Sequence, residues 1–188
     1  MNRTNSVKGF TLIELLIVIG ILGVLAAVVV VVLNPAELLA QARDSQRMQD
    51  VSSVNSALSL YMASASSPAM TTDTYHSGVT TTTWTCGDDT PAGRSATQAT
   101  VQGVAGGGWV ATDLSAISGG SPLSVLPVDP TNSSAYHYCY EEYSDETWEL
   151  NAYLESTKFA TTSNLDGTDG GDDDEVFEIG TDPGLNLM

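Results

Sequence analysis

The side chains best suited to chemistry are carboxylates near the C-terminus. Seven acidic residues lie between Asp166 and Glu178, interleaved with glycines that permit tight turns. Calcium prefers six to eight oxygen ligands, which such a loop can supply, although the spacing lacks the D-x-D-x-D-G order of an EF-hand. Two interpretations stay open, a calcium site and a solvated acidic run. The candidate calcium ligands are Asp166, Asp169, Asp172 and Asp174.

The two cysteines, Cys86 and Cys139, form neither a CxxC motif nor a zinc-ligand spacing. In an exported chain, two well-separated cysteines are most simply interpreted as one disulfide. Whether the chain is exported therefore decides how these residues are interpreted.

The two histidines, His76 and His137, lack the neighbouring groups that general acid–base catalysis requires. The sequence also contains no phosphate-binding loop, nucleophile elbow or HExxH motif. We expect a protein that is not an enzyme and requires no cofactor, with calcium as the one candidate ion.

One carboxylate, Glu14, interrupts an otherwise uncharged apolar run from Phe10 to Leu33. The 24 residues of this run suffice for a helix that crosses a hydrocarbon core about 30 Å thick. Arg3 and Lys8 favour a cytoplasmic N-terminus. The run is longer than the apolar region of a usual cleaved signal peptide, about 7–15 residues. A plain membrane anchor leaves Glu14 unexplained, because a carboxylate there costs roughly 2.5–3.5 kcal/mol without a partner.

The stretch Lys8-Gly9-Phe10-Thr11-Leu12-Ile13-Glu14 resembles the cleavage and methylation site of type IV prepilins and type II secretion pseudopilins. The resemblance implies that prepilin peptidase cuts after Gly9 and that Phe10 becomes the N-methylated first residue. It also implies that Glu14 pairs with the N-terminal amine of a neighbouring subunit, which neutralises both charges in the filament core. A buried ion pair of this kind can set an axial register.

The elements that carry these residues are expected to form an α+β fold. The resemblance implies a leader peptide at residues 1–9, the membrane-spanning and filament-core half of a long helix at residues 10–33, and its amphipathic half at residues 34–63. Asn34 and Pro35 favour a new helical start between the two halves. In the second half Val51, Val54, Leu58 and Tyr61 recur at helical spacing, so this stripe is expected to pack on a globular head. Arg47, Asp50, Asn55 and Ser59 are expected on the other faces.

Residues 64–188 form the predicted head. A Ser/Thr-rich connecting loop, centred on Thr80–Thr83, precedes a small antiparallel sheet. Residues 136–140 and 147–154 alternate apolar and polar side chains, as half-buried strands do, and residues 144–146 predict a hairpin between them. Val176 to Ile179 predict a further short strand.

The net charge of −17 argues against nucleic acid binding by the isolated subunit, because such binding depends on clusters of lysine and arginine. The resemblance implies a major-pilin-like subunit that polymerises into an extracellular filament for adhesion, motility or DNA uptake. Its implied partners are further copies of itself, prepilin peptidase, the inner-membrane assembly machinery and, before assembly, membrane lipid. The implied location is the inner membrane as a single-pass protein, then the surface pilus. A pseudopilin and a monomeric membrane-anchored adhesin are the alternatives.

Overall fold

The computed structural model describes residues 9–70, 73–78, 86, 97–98 and 102–187. The chain divides into two compact units, the first ending at Leu39 and the second beginning at Ala40. The predicted Thr80–Thr83 loop lies outside the described residues.

Helix α1 (Leu12–Leu33) belongs to the first unit and contains no buried residue. Branched and straight-chain apolar residues fill it on all sides. Asn34 ends the helix in the left-handed conformation, with φ 40° and ψ 73°. Pro35 then begins helix α2, where its fixed φ suits the first turn and its missing N–H leaves no donor without a partner. The predicted break at Asn34–Pro35 is therefore confirmed.

Helix α2 (Pro35–Ser64) turns one stripe toward the core of the second unit. The predicted apolar residues Val51, Val54, Leu58 and Tyr61 are all buried there. The expectation for Arg47 is wrong, because its side chain is fully buried on the same stripe. Asp44, one turn earlier, is buried beside it.

Five strands form the sheet of the head, in the order β2-β1-β3-β4-β5. Their bounds are β1 (Asp73–His76), β2 (Thr97–Gln98), β3 (Tyr138–Glu142), β4 (Trp148–Tyr153) and β5 (Val176–Gly180). Every pair is antiparallel except the two-residue edge strand β2, which runs parallel to β1. The turn that joins β3 to β4 is the predicted hairpin, with Glu146 donating its N–H to the Tyr143 carbonyl.

The inner face of the sheet joins the stripe of α2 in one hydrophobic core. The segment before β3 adds to this core and contains a short 3-10 helix at Leu114–Ala116. The residues that β3, β4 and the preceding segment contribute are Tyr138, Tyr140, Trp148, Leu150, Ala152, Trp109, Val110, Leu114 and Leu126. The α+β class, with a long N-terminal helix and a small antiparallel sheet, is thus confirmed.

The outer face of the sheet is polar, yet it is buried as well. Cys139, Glu141, Glu149, Asn151 and Glu178 alternate with the core residues along β3, β4 and β5, and each is at most 2% exposed. The prediction of half-buried strands is therefore wrong for β3 and β4. Alternation reports two chemically different faces, but it does not reveal whether the polar face is covered.

Candidate functional site

Thr11 and Glu14 begin α1 with a reciprocal pair of hydrogen bonds, a capping box. The Thr11 N–H donates to Glu14 Oε2 at 2.8 Å, and the Glu14 N–H donates to Thr11 Oγ1 at 3.3 Å. The Thr11 hydroxyl also donates to Glu14 Oε2. Glu14 thus has a local partner within its own chain, at the helix end where negative charge is favoured. Sequence reasoning missed this role, although the pattern T-x-x-E signals it.

Phe10 and the residues of α1 present their apolar surface outward. Phe10 is 86% exposed, and the large side chains of α1 range from 47% exposed at Val18 to 81% at Leu12. By length and composition, this helix can cross a membrane. Exposed apolar surface of this extent is typical of a segment that contacts lipid or another protein.

Arg47 is the centre of a buried ionic cluster in the second unit. Its guanidinium donates to Asp129 Oδ2 at 2.5 Å, to Asp44 Oδ1 at 2.7 Å and to Glu155 Oε1 at 2.8 Å. Burial alone would lower the pKa of Arg47, but the hydrogen bonds and charges of these carboxylates raise it above its usual value. Asp44 also accepts the N–H groups of Glu155 and Ser156. The cluster ties α2 to two distant segments of the head.

Cys86 and Cys139 form a disulfide with a Cα–Cα distance of 5.7 Å. Two histidines lie beside it on the outer face of the sheet, because His76 pairs across the strands with Cys139 and His137 precedes Cys139 by two residues. Their ring centroids are 5.8 Å apart. Burial, with the charge of His137, lowers the pKa of His76 to about 4, so His76 is neutral at physiological pH.

The acidic loop holds two of its candidate calcium ligands in hydrogen bonds to backbone amides. Asp166 accepts the Gly167 N–H at 3.2 Å, while Asp169 accepts those of Gly171 at 3.1 Å and Glu178 at 2.6 Å. Burial raises the pKa of both carboxyl groups.

The other two candidate ligands, Asp172 and Asp174, are exposed. Within the described ranges, the four aspartates do not bring three ligand atoms within 4.8 Å of one another. The loop is therefore held partly by turns of its own, and its calcium site remains a prediction.

Two buried carboxyl groups beside this loop were not singled out from the sequence. Glu149 Oε2 accepts the Leu187 N–H at 2.8 Å, and Glu178 Oε2 accepts the Asp173 N–H at 3.1 Å. Burial raises the pKa of Glu178 to about 9, with a further contribution from the Glu149 charge. On alternation alone, both residues would be assigned to a solvated face.

Comparison with known proteins gives one match. Residues 4–30 match the family model described as the prokaryotic N-terminal methylation motif. Searches of curated proteins and of solved structures find no match. The matched segment contains Gly9, Phe10, Thr11 and Glu14, together with most of α1. The chain therefore carries the N-terminal signature of type IV pilins and pseudopilins.

Proposed function

We propose that the chain is the precursor of a pilin-like structural subunit that polymerises through α1 into a type IV pilus-like extracellular filament. The observation that carries this proposal is the exposure of α1, an apolar helix without a buried residue whose N-terminal part matches the methylation motif. Burying one leucine-sized side chain contributes about 1.5–3 kcal/mol, so α1 has a large driving force to leave water. Membrane lipid satisfies it before assembly, and the α1 helices of other subunits satisfy it in the filament.

Processing between Gly9 and Phe10 precedes assembly in this proposal. Cleavage by prepilin peptidase removes Arg3 and Lys8, so the net charge changes from −17 to −19 before the new termini are counted. It also creates a free amine at Phe10, which is then methylated. Mass spectrometry of the mature chain should find an N-methylated phenylalanine at its start. A mature chain that begins downstream of α1 would contradict the proposal.

Glu14 supplies the charge that pairs with the Phe10 amine of a neighbouring subunit. Both bonds from Thr11 end on Glu14 Oε2, so Oε1 can accept the neighbour's amine without breaking the capping box. An amine and a carboxylate that meet in an apolar filament core neutralise each other, whereas either alone would be costly.

Two variants of Glu14 distinguish the role of its charge from its role in the capping box. Glu14→Gln keeps a side chain that can complete a capping box but removes the charge, while Glu14→Ala removes both. We expect both variants to be cleaved and held in the membrane, and both to yield few sheared surface fibres in electron microscopy. Normal fibre yield from Glu14→Gln would show that the charge pair is not required.

A pseudopilin of a type II secretion system is the second candidate, and the acidic loop favours it. In that case the assembled structure is a short periplasmic fibre, and sheared surface fractions contain none of it at native expression. A monomeric adhesin would keep α1 in lipid permanently. Crosslinking between neighbouring subunits at Phe10 and Glu14 would exclude the monomer.

A further inference from the structure

Three potential metal ligands converge at the disulfide on the outer face of the sheet. One ligand atom each from Cys86, His137 and Cys139 lies within 4.8 Å of the others. In the part of the chain that the structure describes, this is the one group of three such residues. All three side chains are at most 1% exposed.

We propose that the reduced head binds one zinc ion through the thiolates of Cys86 and Cys139 and an imidazole nitrogen of His137. The disulfide and the zinc ion both require the sulfurs of Cys86 and Cys139, so they exclude each other.

The donor set and its spacing suit zinc. Zinc binds thiolate sulfur at about 2.3 Å and imidazole nitrogen at about 2.0–2.1 Å, in a tetrahedron. Two sulfurs on such a tetrahedron are about 3.8 Å apart, so the sulfurs must separate once their bond is broken. The Cα–Cα distance of 5.7 Å allows this by side-chain rotation. A nitrogen of the His137 imidazole lies within 4.8 Å of both sulfurs.

The charges of the ligands suit the burial of this site. Two thiolates and one neutral imidazole around Zn²⁺ sum to zero, so the complex places no net charge in a buried position. A calcium ion prefers oxygen ligands and would gain little from sulfur and nitrogen. The site is therefore chemically distinct from the acidic loop.

His76 lies next to this site, but we assign it no ligand role. Its Nδ1 accepts the Gly78 N–H at 3.1 Å, which places the proton of the neutral ring on Nε2. Neither nitrogen of that tautomer offers a free lone pair to a metal. A water molecule would complete the tetrahedron.

The exchange between the two states balances in atoms and electrons. A phosphine and one water reduce the disulfide to two thiols and leave a phosphine oxide. Zn²⁺ then displaces two thiol protons, which pass to solvent. In the reverse direction a protein disulfide accepts two electrons from the thiolates by exchange, the Cys86–Cys139 bond forms, and zinc is released.

Cobalt titration of the full-length protein in detergent micelles, free of oxygen, tests the proposal. Co²⁺ serves as the probe because thiolate-to-cobalt charge transfer and tetrahedral cobalt bands report the ligands directly. We expect both signals to saturate at one equivalent in the phosphine-reduced protein, to vanish on addition of Zn²⁺ and to be absent from the oxidised protein. Absence of the charge-transfer band in the reduced protein would overturn the proposal.

Two histidine variants make the ligand assignment specific. His137→Gln should weaken cobalt affinity by more than about tenfold, since even the loss of an outer partner costs 10–100-fold at such sites. His76→Asn retains an acceptor for the Gly78 N–H and should bind cobalt as the wild type does. Equal affinity in both variants would overturn the role of His137.

Alkylation of the cysteines tests zinc binding in the wild-type protein, without any variant. In the reduced wild-type protein, one equivalent of Zn²⁺ should protect both cysteines from alkylation, as counted by mass spectrometry of the intact chain. Protection of neither cysteine would contradict the site.

Discussion

Charged side chains differ in burial and in the distance to their partners between helix α1 and the unit that contains the head. In α1 a single carboxylate, Glu14, lies at the exposed first turn and is held by Thr11, three residues away. On helix α2, where it packs against the head, Arg47 is fully buried and its partners are up to 108 residues away in the chain. The buried charges of the second unit therefore hold distant segments of its fold together, whereas Glu14 caps only the first turn of its own helix. A role of Glu14 between subunits belongs to the proposed function, and the two Glu14 variants test it.

Removal of the Arg47 side chain is expected to have the largest effect on the stability of the head. Arg47→Ala leaves the carboxylates of Asp44, Asp129 and Glu155 without their central cation, and removing one partner of a buried ionic cluster costs about 3–5 kcal/mol. We expect a loss of that size in the free energy of unfolding of the head, measured by urea denaturation.

Two control variants belong to this experiment. Arg43→Ala removes a more exposed ion pair with Glu155 and should change the stability much less. Glu14→Ala should leave the urea transition of the head unchanged. A loss as large in Arg43→Ala as in Arg47→Ala would remove the distinction between buried and exposed pairs.

Loss of the disulfide is expected to have an effect of comparable size. The bridge joins residues 53 positions apart, and the chain-entropy model assigns such a loop about 4 kcal/mol. The double variant Cys86→Ser, Cys139→Ser should lower the free energy of unfolding by up to that amount, and reduction of the wild type in the presence of a chelator should match it. Two freely alkylated thiols in the untreated mature protein would show that the bridge does not form.

The buried carboxyl group of Glu178 predicts a stability effect that depends on pH. Its pKa is raised from 4.5 to about 9 in the folded head by burial, with contributions from the Glu149 and Asp169 charges. Its stabilising contribution is therefore complete below about pH 4.5 and is lost as the pH rises through about 9. The melting temperature should fall over this range. Glu178→Gln should flatten that fall, and an equally steep fall in the variant would assign it to other groups.

Calcium is expected to have the smallest effect. A ligand that binds only the folded state stabilises it, so millimolar calcium should raise the melting temperature relative to chelator. Magnesium should do less, because it keeps several of its waters. Asp172→Asn combined with Asp174→Asn removes two candidate ligands and retains the amide contacts of Asp166 and Asp169. An unchanged melting temperature in the wild type would leave the loop a solvated acidic surface.

The two helices and the strands β3, β4 and β5 were predictable because each depends on neighbours in the chain, whereas β1 and β2 lie in the segment that was predicted to be a connecting loop. The end of α1, the restart at Pro35 and the strands β3, β4 and β5 all follow from composition, turn residues and alternation. The burial of Arg47 did not follow, since its partner Asp129 is 82 residues away and periodicity treats a charged residue as solvated. A usable signal was present, because Asp44 and Arg47 continue the three-and-four spacing of Val51 and Val54.

The candidate sites also differ in whether neighbouring or distant residues form them. The motif at Gly9, Phe10 and Glu14 is contiguous, so the sequence identifies it. Cys86 is far from His137 and Cys139 in the chain. The spacing of these three residues matches no metal-ligand motif, so the sequence does not predict that they contact one another. The buried Glu149 and Glu178 depend on what covers the outer face, which alternation along a strand does not encode.

The uniformity of α1 has a geometric consequence. Its apolar residues surround the axis evenly, so the cylinder has no side that prefers a partner and can turn about its axis without loss of apolar contact. Glu14 is the one acidic or basic residue in this helix. In the filament that we propose, this one side chain would therefore define both how far a subunit advances along its neighbours and the azimuth at which it stops.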